Sequence, residues 1–395
     1  MNTPNGERLH IGFFGKRNAG KSSLINRVTG QSLSVVSEVK GTTTDPVQKQ
    51  MELLPLGPVT VIDTPGFDDS GDLGDLRVQK TKNVLYKTDI AILVVDATVG
   101  KSAEDEAFLE LLRQKEIPYL TVYNKCELKP GLQLSENELA VSAKENTGIF
   151  ELKEKIGTLK PETKEKRIIS DKLERGSVAV LVCPIDESAP KGRLILPQQQ
   201  TIRDLLDGGC IPVVCKETEL SETLEKLKNP PEIVICDSQV FAFCANTVGA
   251  DVPLTSFSVL MARYKGVLDY AVEGADRIFD LKENAKILIS EGCTHHRQCG
   301  DIGTVKLPNL IRKKTGKDFE FSFTSGGEFT ENAEAFDLIV HCGGCMLNDR
   351  EMASRMARAK EKGVAMTNYG VLIAHLNGIL KRSLEIFPEY NKYLN

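Results

Sequence analysis

Two segments in the second half of the chain, Cys293-Thr294-His295 and His341-Cys342-Gly343-Gly344-Cys345, carry three thiols and two imidazoles at spacings suited to holding iron or zinc. Thiolate-rich donor sets select iron–sulfur clusters or zinc over hard cations. In the first half, Gly15-Lys16-Arg17-Asn18-Ala19-Gly20-Lys21-Ser22 has the spacing of a phosphate-binding loop. Glycines there let backbone N–H groups wrap phosphates, Lys21 reaches the β and γ phosphates and Ser22 ligates Mg²⁺, with Ser23 opening the helix that adds partial positive charge.

Three more segments follow in the order a guanine-nucleotide site requires. Asp63-Thr64-Pro65-Gly66 places a carboxylate to hold magnesium through water and a glycine N–H toward the γ-phosphate. Asn124-Lys125-Cys126-Glu127 offers an amide and a carboxylate to the base, and Ser142-Ala143-Lys144 offers backbone N–H groups to the guanine carbonyl. Between them, Gly41-Thr42-Thr43-Thr44-Asp45 is a threonine-rich loop whose Thr43 hydroxyl is expected to close on magnesium. Four ordered motifs predict a GTPase. Phe67 stands where a water-orienting side chain would help, so slow hydrolysis is expected, dependent on another group such as Asp68 or Asp69, or on a partner. Glu127 is one methylene longer than the usual aspartate, which predicts weakened guanine selection.

The elements that must position these residues are legible as apolar runs ending in loops, each followed by a helical pattern. The fold class is α/β: a P-loop GTPase domain over 1–160, then two smaller α/β domains, 176–270 and 271–395, after a linker over 161–175 that overlaps the charged, Pro161-bearing stretch Lys160–Arg167. The strands expected are His10–Phe14, Val59–Ile62, Tyr119–Tyr123, Val178–Val182, Ile211–Val214 and Ile233–Ile235, with Ile287–Ile289 and Phe336–Val340 running into the two cysteine segments. In a parallel sheet the last two loops meet at the carboxyl edge. Gly343 and Gly344 permit a tight turn, and a helix from about Asp349 covers one side. Cys183 and Cys236, just past apolar runs, read as small buried hydrophobes.

With 395 residues the chain exceeds one hydrophobic core. A formal charge of −5 gives no reason to expect nucleic acid as the main partner, no run reaches membrane-spanning length, and the first residues lack the apolar core of a signal peptide, so a cytoplasmic location is expected. In that compartment ten cysteines read as thiols and metal ligands, not as a disulfide framework.

Residues 8–160 resemble the translation-factor-related GTPases of the TrmE and Era group, and with an asparagine at Asn18 that resemblance implies a bound potassium ion supplying charge in place of an arginine finger. Cys-x-His, about 45 residues, then His-Cys-x-x-Cys downstream of such a domain resembles the HydF family of [FeFe]-hydrogenase maturation factors. This second resemblance spans essentially the whole chain. It implies a central dimerisation domain, hence a homodimer, and a C-terminal domain binding a [4Fe–4S] cluster. It further implies a carrier that takes a transient di-iron precursor, made with radical-SAM maturases, to apo [FeFe]-hydrogenase. Cys293, Cys342 and Cys345 are the expected cluster ligands. The fourth position is open among His295, His341, His296, Cys299 and Asp301. The alternative is a ribosome- or tRNA-associated GTPase with a structural zinc domain, against which stands the absence of a basic C-terminal segment and of aromatic stacking runs.

Overall fold

A computed structural model describes residues 3–30, 47–64, 66, 81–159, 166–185, 194–292, 301–326 and 329–393. The chain forms two compact units, Met1–Thr163 and Lys164–Asn395.

In the first unit the strands are β1 (Leu9–Phe14), β2 (Val47–Leu53), β3 (Gly57–Asp63), β4 (Ile90–Asp96), β5 (Tyr119–Asn124) and β6 (Glu138–Ala140). They lie in the order β2-β3-β1-β4-β5-β6, all parallel except the edge strand β2. β1, β4 and β5 are nearly continuous runs of buried residues, as strands covered on both faces must be. Two apolar clusters fill the two faces. One contains Phe13, Leu24, Ile92 and Leu152; the other contains Phe14, Leu93, Leu109 and Tyr123. The helix Ala103–Gln114 starts from Ser102, whose hydroxyl accepts from the Asp105 amide while the Asp105 carboxylate accepts from the Ser102 amide.

The second unit holds two parallel four-stranded sheets. In one, β7 (Val178–Val182), β8 (Ile211–Cys215), β9 (Ile233–Cys236) and β10 (Leu254–Ser256) run in the order β10-β9-β7-β8. In the other, β11 (Lys286–Ser290), β12 (Glu320–Thr324), β13 (Leu338–His341) and β14 (Ala365–Asn368) run β12-β11-β13-β14. One apolar core contains Leu181 and Ile235 from the first sheet, Ile289 and Val340 from the second, and Leu260, Ala275 and Leu372 from helices. The helix Leu268–Asp280 fits that place, with Ala271, Val272, Ala275 and Ile278 all buried.

Two sequence expectations change. The linker expected over 161–175 is shorter, because Ile168 and Ile169 are buried in this core and the Ile169 and Ser170 amides donate to the Asp204 carboxylate at 2.9 and 2.8 Å. Apolar burial makes that stretch part of the second unit. Strands β2, β4, β6, β10, β12 and β14 lie outside those expected: β6 and β10 are three residues long, and β12, an edge strand, has no buried residue to mark it. Cys183 and Cys236 are buried as expected. Among the described residues no helix is long and apolar enough to cross a membrane.

Candidate functional site

At the carboxyl end of β1 the chain turns through Gly15–Gly20 into the helix Lys21–Thr29. Gly20 is in the left-handed region with φ 87°, and a Cβ there would lie 2.2 Å from Asn124 Nδ2, so only glycine fits. Asn18 is also left-handed, with φ 62°, and its side chain is exposed. Lys21 Nζ donates to the carbonyls of Gly15 and Lys16, both at 2.8 Å, inside the curve that the loop makes. The Ser22 hydroxyl donates to Asp63 Oδ2. The other oxygen, Asp63 Oδ1, is buried with no hydrogen-bond partner. Burial raises the Asp63 carboxyl, against the lowering effects of Ser22 and Lys21. A buried acceptor without a donor is costly, and a hydrated Mg²⁺ held beside the Ser22 hydroxyl would satisfy it. The residues therefore fit the ion.

The base end is organised by Asn124, 3% exposed. Its Nδ2 donates to Ala19 O and its Oδ1 accepts from the Ala143 amide, each at 3.0 Å, so one side chain ties the phosphate loop to the Ser142–Lys144 loop. Arg27 adds a second tie, donating to Ala143 O at 2.7 Å and Lys144 O at 3.3 Å. Lys125 takes φ 65° and pairs with Asp96 at the end of β4. Glu127 is exposed, and a hydrogen bond from Ser142 lowers its carboxyl. Gly20, Ser23, Asn124, Lys125, Glu127 and Lys144 line a cleft of about 880 Å³. That is ample for a nucleotide. Sequence reasoning missed Arg27 and Asp96; the strand-end position of Asp96 was the available signal. Gly66 is described and partly buried, whereas Thr43, Phe67, Asp68 and Asp69 lie outside the described residues.

In the second unit β11 and β13 are parallel neighbours with Ser290 opposite His341, so the loops bearing the two cysteine segments leave the same sheet edge side by side. The Cys342 amide donates to Ser290 O at 2.9 Å. Cys342 Sγ accepts from the Gly292 amide at 3.1 Å and the Gly344 amide at 3.4 Å. Amides aimed at sulfur favour a thiolate or a metal-bound sulfur; in the metal-free chain burial nonetheless pushes the Cys342 thiol up to about 11 and raises Cys345 as well. Gly344, not Gly343, takes the left-handed turn, with φ 63°. The helix Asp349–Glu361 follows, its first turn capped by Asn348 accepting from the Glu351 amide. Cys293, His295, His296 and Cys299 lie outside the described residues. Among those described, no three metal-ligating side chains converge. Two free cysteines on a glycine turn, with the Gly292 amide bonded to one of them, are soft sulfur donors that would suit a thiolate-ligated metal or cluster.

His341 is fully buried and has both nitrogens engaged. Its Nδ1–H donates to Cys342 O at 2.7 Å, and Nε2 accepts from Arg355 at 3.0 Å. Burial and the Arg355 charge push it down to about 3, so it is neutral. As placed, it has no lone pair for a metal, which removes it from the candidates for the fourth position. Asp301 Oδ2 caps Thr304 N at 3.0 Å, and because a carboxylate has a second oxygen Asp301 stays among the candidates. Arg355, Lys265 and the Tyr369–Glu291 hydrogen bond, at 3.2 Å, are site features that the motifs did not announce.

Comparison with known proteins resolves the family. Residues 168–266 match the hydrogen maturase F dimerization domain and residues 269–386 the hydrogen maturase F tetramerization domain, together more than half of the chain. The chain belongs to the hydrogen maturase F family. Residues 10–125 match the 50S ribosome-binding GTPase family, and the first unit is a GTPase domain. Curated relatives share this domain. The GTPase Der of Kosmotoga olearia is 36% identical over 170 residues, 38% of each chain. The tRNA modification GTPase MnmE of Acetivibrio thermocellus is 32% identical over 162 residues, 39% of this chain and 35% of that one. The chain thus spans little more than a third of the length of these relatives. Among solved structures, a probable GTP-binding protein engB is 24% identical, with TM-score 0.33, over 39% of this chain and 100% of that one.

Proposed function

We propose that the protein is a GTP-hydrolysing scaffold that binds a [4Fe–4S] cluster and delivers a di-iron subcluster precursor to apo [FeFe]-hydrogenase. The observation that carries the reading is the convergence of two strand-end loops at Cys342, where the Gly292 amide meets the thiol next to the segment that begins with Cys293. Its domains are a GTPase domain over 1–160, a middle domain ending at 270 that takes in the buried Ile168 and Ile169 of the expected linker, and a cluster-binding domain over 271–395, with a homodimer through the middle domain and radical-SAM maturases as the source of the precursor. Neither nucleic acid nor a membrane is a partner, and the protein works in the cytoplasm.

In the nucleotide site, Lys21 leaves the Gly15 and Lys16 carbonyls for the β and γ phosphates, while the N–H groups of Gly15, Asn18, Ala19, Gly20, Ser22 and Ser23 wrap them. Ser22 and Thr43 ligate Mg²⁺, with Asp63 reaching it through water; the ion supplies positive charge to the transferring phosphate. Asn18 holds K⁺, and Gly66 donates its N–H to the γ-phosphate. Asn124, Lys125 and Glu127 recognise guanine, with the N–H groups of Ser142, Ala143 and Lys144 at its carbonyl.

Cys293, Cys342 and Cys345 hold the cluster. A carrier must release what it transports, which suits an exchangeable fourth ligand. His295 or water takes that place, since His341 is committed to Cys342 O and Arg355. Anaerobic purification with elemental analysis tests the reading: about four iron and four sulfide per chain are expected for one cubane cluster. Zinc without sulfide would overturn it in favour of a ribosome- or tRNA-associated GTPase with a zinc domain.

A further inference from the structure

Thiolate ligation brings negative charge to half-buried cysteines, and charge withdrawn from water needs compensation. The structure supplies it from outside the cysteine motif. Lys265 caps the end of the helix Phe257–Tyr264, and its side chain is only 1% exposed. Its Nζ donates to Leu347 O at 2.8 Å and to Asp349 Oδ1 at 3.2 Å. Leu347 closes the turn carrying Cys345, with its own amide donating to Gly344 O at 3.0 Å. Lys265 therefore grips the backbone of the cysteine loop.

The other oxygen of Asp349 accepts from Lys166 at 2.7 Å. Burial opposes ionisation of Asp349, but Lys265 and Lys166 hold its carboxyl below the usual range. One carboxylate shared by two ammonium groups leaves the trio with a unit of positive charge. That charge lies at the site: Lys265 Nζ is bonded to the carbonyl of Leu347, two residues past Cys345. Lys265 is buried while Asp349 is 44% exposed, and an apolar side chain could fill the place of Lys265 as well or better. An ammonium fixed on the turn that carries Cys345 is what an apolar side chain there could not provide.

We propose that Lys265 is a positioning residue of the cluster site, whose ammonium, fixed between Leu347 O and Asp349, offsets the charge of the thiolate-ligated cluster and sets the potential at which that cluster is reduced. The proposal rests on the iron–sulfur reading above. Net charge around a cluster is one of the main determinants of its potential. A lost positive charge disfavours the added electron.

The test compares the full-length wild type with Lys265→Met and Lys265→Arg after anaerobic reconstitution, measuring iron and sulfide content and then the midpoint potential by an EPR-monitored titration. Lys265→Arg should keep the wild-type potential, and Lys265→Met should keep its iron and sulfide but be reduced at a lower potential. Loss of the cluster from Lys265→Met alone also supports the role, since charge then decides retention. An unchanged potential in a cluster-bearing Lys265→Met overturns the proposal. Equal shifts, or cluster loss, in both variants overturn it too, because packing and not charge would be responsible. A wild type that takes up no iron and sulfide overturns the iron–sulfur reading itself, a result distinct from all the others.

Discussion

The backbone amide of Gly292 donates to Cys342 Sγ at 3.1 Å, joining the loop that leaves β11 to the first thiol of the loop that leaves β13. The contact depends on Gly292 having no side chain, for a Cβ there would lie 2.7 Å from the Leu347 side chain that backs the Cys345 turn. Gly292→Ala should therefore push Leu347 outward and loosen the turn. Overpacking of this kind costs about 1–3 kcal/mol. Thermal unfolding of the metal-free protein should show the loss, and the reconstituted variant should surrender iron to a chelator faster than the wild type at unchanged GTP hydrolysis.

Asn124 holds two loops with one amide group, accepting from Ala143 and donating to Ala19 O. Asn124→Ala leaves a buried donor and a buried acceptor unpaired, at about 1–3 kcal/mol each. Nucleotide affinity should fall at least ten-fold, for the triphosphate and diphosphate alike, because the loop geometry is lost and not a phosphate contact. Titration with a fluorescent guanine nucleotide checks this; a wild-type Kd would contradict it.

Glu127 is aligned by its hydrogen bond with Ser142 on the wall of the nucleotide cleft. Its longer side chain should relax base selection, so Glu127→Asp is expected to sharpen the preference for GTP over its inosine analogue. Glu127→Ala should abolish most of that preference. Competition binding separates the two, since the inosine base lacks the exocyclic amine that a carboxylate reads.

Arg355 is buried under the cysteine loop, donating to His341 Nε2 at 3.0 Å, Gly326 O at 2.8 Å and Glu351 at 2.7 Å. Removing one partner of such an arrangement costs about 3–5 kcal/mol. Arg355→Met should lower the Tm of the metal-free protein by several degrees, while nucleotide binding, which belongs to the first unit, stays unchanged.

The sequence made the nucleotide site plain because its motifs are local: strand, glycine turn and helix follow one another, and Gly15–Ser22 lies where that order puts it. The same holds for β11 and β13, whose apolar runs announced two strands ending at cysteine segments and whose parallel pairing brings those ends together. What could not be read were contacts made across long separations by single side chains. His341 looked like a ligand from its neighbours Cys342 and Cys345, but a fully buried imidazole is decided by what packs on it, here Arg355 from the next helix. Lys265 belongs to a different matched domain from the loop it grips. Ile168 and Ile169 sit in a charged stretch, and only the core they enter shows that the stretch is not all linker.

The central claim, that the chain carries its cluster on three cysteines for delivery, is tested most directly by loading the wild type and the Cys293→Ala, Cys342→Ala and Cys345→Ala variants with the maturases and assaying activation of apo [FeFe]-hydrogenase as hydrogen evolution. Each variant should lose both the iron–sulfur absorption and hydrogenase activation while hydrolysing GTP at the wild-type rate. Hydrogen evolution at the wild-type level from any of the three would contradict the claim.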